Sequence, residues 1–163
     1  MLSNETAMGE FPLETVRMMS GIITSVEASE YDDVPTPINT DVAPDAALAV
    51  AARQATEVAG AKAIVVPSTT GDLARLVSRF RPEVMIIAPT NQERTYHQLA
   101  LSCGVIPLFF KTTSSDKKTI AMRSVINLKE QGVLAVGDKI VLLGHRSSNK
   151  PGQATMLEIQ TVA

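Results

Sequence analysis

Four short apolar runs, separated by stretches of helical character, constrain this chain of 163 residues more than any other feature. Ala63 to Val66, Val84 to Ala88, Val105 to Phe110 and Lys139 to Leu143 read as strands without the polar alternation that would leave one face in water. Strands of that kind are buried on both faces, the usual condition of a parallel sheet covered by helices. The intervening segments supply those helices. Asp41 can cap an alanine-rich helix over about Ala43 to Ala59, with Gly60 as its stop. Asp72 to Phe80 is a compact helix. Thr90 to Glu93 matches a capping box, opening a helix that reaches about Ser102. Ser115 to Gln131 is amphipathic and is closed by Gly132.

Two strands carry positional information. Pro107 interrupts the third and places it at an edge or an irregular end. The last run, Met156 to Val162, sets Leu157, Ile159 and Thr161 on one face. Too few residues separate it from the fourth strand for a parallel crossover, so that pair is expected to be antiparallel. The sum is an α/β three-layer sandwich: a mostly parallel five-stranded sheet with the last strand antiparallel and helices on both faces.

Ahead of this pattern, Phe11 to Glu27 reads as a helix with Pro12 in its first turn and Val16, Met19, Ile23 and Val26 on one face. The proline-containing stretch that follows is the one clear boundary. The organisation is therefore 1–28, a linker at 29–40, and an α/β domain at 41–163.

Bulk properties exclude several function classes. With 15 basic and 17 acidic residues the net charge is −2, which gives no electrostatic footprint for nucleic acid or an anionic membrane. No apolar run approaches the ~20 residues of a membrane span, and the N-terminus does not read as a signal peptide. The single cysteine, Cys103, cannot form an internal disulfide and reads as a small buried residue at a strand start. A cytoplasmic protein is the expectation. No His, Cys or carboxylate spacing suggests a metal site, and a nucleophile elbow and a dinucleotide fingerprint are missing.

The segment from Met1 to Ser20 resembles the end of the catalytic barrel of pyruvate kinases, with Asn4 where that family has glycine. Further stretches are similar to the same family in the same order: Ala63 to Val66, Thr70-Gly71, Ser78 to Pro82, Ile86 to Thr90, Gln98 to Pro107 and Val136 to Val141. The derived order of elements is also that of the family's C-terminal domain. The resemblance covers essentially the whole chain. It implies that 1–28 is the last strand-to-helix loop and helix of the barrel, and that 41–163 is the C-terminal regulatory domain.

Three places could carry chemistry. Ser3 and Glu5 stand in the motif that the family places at the barrel mouth near substrate, and such rims are where barrel enzymes put reacting groups. The family's catalytic lysine, arginine and acidic magnesium ligands come before this motif, so Ser3 and Glu5 are barrel-rim remnants, with helix capping as their expected role. The Asn4 side is compatible with a left-handed turn.

The loop Ser68, Thr69, Thr70, Gly71 follows the first strand and feeds a helix, a geometry suited to anions. In many members of the family it cradles a phosphate of an allosteric sugar phosphate. Asp72 and Leu73 stand where the family often has a basic residue and a hydroxyl residue, which favours a monophosphate or nucleotide over a sugar bisphosphate. A plain turn capped by Thr70 or Asp72 is the alternative.

The third place is the loop from His145 to Gly152, where related enzymes close a glycine-rich loop over the effector. There Arg146 and Lys150 would contact phosphate, and His145 would add a pH-dependent contact; a solvated hairpin is the alternative. His97 reads as a surface or packing residue.

The resemblance implies the C-terminal part of an enzyme that moves phosphate from phosphoenolpyruvate to ADP, inactive alone, with Mg2+ and K+ belonging to the missing barrel. Implied partners are a phosphorylated small-molecule effector, that barrel and further copies in a tetramer. The rival reading is a free-standing sensor of a phosphorylated metabolite. A small hydrolase ranks last, because no nucleophile–base pair is recognisable. Burying an apolar side chain is worth about 1.5–3 kcal/mol, so the stripe on the first helix needs a partner. Deletion of residues 1–27 should leave the remaining domain folded; loss of its far-UV circular dichroism and cooperative melting would place the boundary elsewhere.

Overall fold

In the computed structural model, which describes residues 1–29, 44–111, 117–144 and 156–163, the apolar runs form the centre of a single sheet. The chain divides into two compact units, Met1–Thr36 and Pro37–Ala163. The strands of the larger unit are β1 (Ala63–Val65), β2 (Met85–Thr90), β3 (Val105–Phe109), β4 (Lys139–Gly144) and β5 (Met156–Thr161). Their spatial order is β3-β2-β1-β4-β5; β4 and β5 are antiparallel and the other neighbours parallel.

Period-two alternation sorts the strand residues into two cores. Ile64, Val66, Ile86, Ala88, Val141 and Leu143 face one way. Ala63, Val65, Ile87, Ile140 and Leu142 face the other. The first core is covered by α3 (Pro44–Ala59), α4 (Asp72–Arg79) and α5 (Glu93–Leu99) through Ala49, Ala52, Ala74, Val77 and Leu99. The second is covered by α6 (Lys117–Glu130) through Ala121, Val125 and Leu128. Alanines on α3 let that helix lie close to the sheet. The chain is thus the expected three-layer α/β sandwich, with Gly60 and Gly132 just past the ends of α3 and α6. The expected Asp41 cap, all of the expected linker but Ser29, and the start of the helix at Ser115 lie outside the described residues.

Three local expectations are corrected. First, β2 runs past Ala88 to Thr90. Proline 89 has no N–H for the β1 side, so pairing with β1 stops at Val65↔Ile87 while β2 continues along β3 to Thr90↔Phe109. Second, Thr90 does not open a capping box. It belongs to β2, the helix starts at Glu93 after Gln92, and the Thr90 hydroxyl accepts the Gln92 N–H at 3.1 Å. Third, Cys103 is exposed. It lies in the turn before β3, where its carbonyl accepts the Ser78 hydroxyl at 2.6 Å and its sulfur lies 3.1 Å from Arg81 Nη1. On β5, Leu157 packs on the first core and Ile159 is 50% exposed because β5 is the outer strand. The edge position expected from Pro107 holds, since β3 is the other outer strand.

The smaller unit holds α1 (Asn4–Ala7) and α2 (Pro12–Glu27). Val16, Ile23 and Val26 of α2 are exposed, and so are Leu13, Met18 and Ile22. Ile64 is fully buried in the central strand. Ile64→Ala should cost about 2–5 kcal/mol in urea unfolding, whereas Ile159→Ala at the rim should cost under about 1 kcal/mol. Equal costs would mean that β5 is covered in solution.

Candidate phosphate-binding loop

The order of strands reverses at β1: the chain goes to β2 on one side and later to β4 on the other. In an open α/β sheet the crevice beyond the carboxyl ends of such a strand pair is where ligands bind. The segment leaving β1 there is Val66 to Gly71, and it is tied to β2 by two bonds. The Val66 N–H donates to Ile87 O at 2.8 Å, and the Ser68 N–H to Pro89 O at 3.0 Å.

Beyond that anchor the loop is organised by side chains. Ser68 is buried, and its Oγ accepts the Gly71 N–H at 2.8 Å. Gly71 takes φ 85°, a left-handed conformation, at the N-cap of α4. A Cβ there would lie 3.0 Å from Arg75 Nη1 and 3.1 Å from Leu99 Cδ2. The turn is therefore closed by the Ser68 hydroxyl and by glycine, while the Thr70 hydroxyl lies 3.5 Å from the Asp72 N–H. Thr69 and Thr70 are exposed at the rim, and Thr95 of α5 donates to the Thr69 carbonyl at 2.7 Å.

One side chain stands out among these contacts. The Asp72 carboxylate accepts the Thr70 hydroxyl on Oδ2 at 2.6 Å and Arg75 Nη2 on Oδ1 at 2.7 Å. Arg75 Nη2 also reaches the Thr70 carbonyl at 3.2 Å. The Thr70 hydroxyl first, and then Arg75, hold the Asp72 carboxyl below its ordinary value. The loop thus carries a cation that the sequence reading missed. Its signal was present, an acid and a base three apart on one helix face, Asp72 and Arg75. Thr95 had no such signal, because it is brought in from a different helix.

The other expected site residues are not part of this group. His145, Arg146 and Lys150 lie outside the described residues. Ser3 and Glu5 belong to the smaller unit and are exposed. The Ser3 N–H donates to Glu5 Oε2 at 3.0 Å, and the Ser3 carbonyl accepts the Ala7 N–H at 3.0 Å. Ser3 is the N-cap of α1 without a side-chain cap bond. The amides of Glu5 itself and of Ser3 hold the Glu5 carboxyl below its usual value. Asn4 is helical rather than left-handed. The glycine the motif needs is Gly9, where a Cβ would come 2.3 Å from Glu5 O. His97 is an exposed residue of α5, its ring edge-on to Tyr96 at 5.1 Å. Among the described residues no three His, Cys, Asp or Glu side chains gather as metal ligands. No helix among them is long and apolar enough to cross a membrane.

Comparison with known proteins places these features in a family. A family profile described as "Pyruvate kinase, alpha/beta domain" matches residues 46–160. Pyruvate kinase 2 of Synechocystis is 32% identical over 163 residues, covering 99% of this chain and 27% of its own length. Human pyruvate kinase PKLR is 33% identical over 155 residues, covering 88% of this chain and 27% of its own. The crystal structure of a pyruvate kinase from Cryptosporidium parvum superposes with a TM-score of 0.81 at 27% identity, covering all of this chain and 32% of that one. The chain therefore spans about a third or less of these relatives.

The loop geometry has a direct spectroscopic consequence. In a 13C NMR titration the Asp72 carboxyl should show a midpoint below 3.8, since a carboxylate bonded in its ionised form keeps its charge as pH falls. Thr70→Val should raise that midpoint more than Arg75→Gln does. A wild-type midpoint at or above 3.8 would show that the two contacts do not form in solution.

Proposed function

The chain belongs to the pyruvate kinase family through its alpha/beta domain, and from that premise we propose that it serves as the regulatory and subunit-contact part of such an enzyme. The activity of the whole enzyme on this reading is transfer of phosphate from phosphoenolpyruvate to ADP. The role of this chain is to bind a phosphorylated small-molecule effector and to form contacts with further copies. Arg146 and Lys150 would complete the ligand shell from the segment after β4, as the family resemblance implies.

The observation that carries the reading is the loop itself. Ser68, Thr69, Thr70 and Gly71 leave the central strand at the switch point, beside an arginine and at the start of a helix. Small hydroxyl residues, a glycine that allows close approach and a fixed guanidinium form a donor set suited to a phosphate ester. No phosphoryl transfer is assigned to this chain alone. The Glu5 carboxylate accepts the Ser3 N–H at the start of a short helix and both residues are exposed, whereas such a transfer needs positioned cations. The exposed apolar side chains of α2 support a role in contacts with the barrel or with other subunits.

Titration of the chain with a panel of sugar phosphates and nucleotides should give saturable binding without release of phosphate. Gly71→Val, which forces a side chain against Arg75 and Leu99, should weaken that binding by about tenfold or more while leaving the sheet folded. Absence of saturable binding to any member of the panel would remove the regulatory reading. Steady release of inorganic phosphate would replace it with an enzymatic one.

A further inference from the structure

We draw no further inference here: the strongest candidate, the exposed apolar patch formed by Met122 and Ile126 on the outer face of α6 with Val133 and Val136 in the turn that follows it, carries nothing because nothing in the structure shows what covers it.

Discussion

Burial of β1 on both faces and both edges is the constraint from which the α/β unit follows. Ala63, Ile64 and Val65 are fully buried, and they lie between β2 and β4 in the middle of the sheet. Ile64 faces the layer of α3, α4 and α5, while Ala63 and Val65 face α6. A strand in that position can tolerate no polar side chain, and its backbone donors and acceptors are all taken by neighbouring strands. The chain must therefore cross over α4 and α5 on one face and α6 on the other, which is what creates a reversal of strand order at β1.

The loop after β1 inherits its stiffness from the same place. It leaves a strand that cannot move, and the Ser68 N–H holds it to Pro89 on β2. Pro89 ends the ladder between β1 and β2 without ending β2, so the two chains part while still bonded. Gly71 then turns into α4 with no room for a side chain. Thr69, Thr70 and Asp72 are left exposed at the rim, with Arg75 partly covered beside them.

Much of this was legible before the structure. Every strand and helix of the larger unit was located to within a few residues, because both-face burial and helical spacing leave strong patterns in the residues themselves. The misreadings share a cause. Thr90 followed by Glu93 is a valid capping pattern, but the pull of β3 kept Thr90 in β2, a pairing partner 19 residues away. Cys103 was assigned to the interior by residue type, yet the turn before β3 is on the surface. Ile159 alternates correctly and still lies open, since alternation says which face a residue takes and not how far the covering helices extend.

The loop divides along the same line. Local sequence determined that a strand would end in small hydroxyl residues and glycine ahead of a helix, and resemblance within the chain pointed to phosphate. Only the tertiary structure decided that Asp72 turns back onto Thr70 and Arg75, and that Thr95 comes from α5 to hold the Thr69 carbonyl. The physical reason is range. Propensity, burial pattern and turn chemistry act over a few residues and are written in neighbouring positions. Which of several possible hydrogen bonds a side chain adopts depends on groups delivered by other elements, and their arrival is settled only when the sheet has closed around β1.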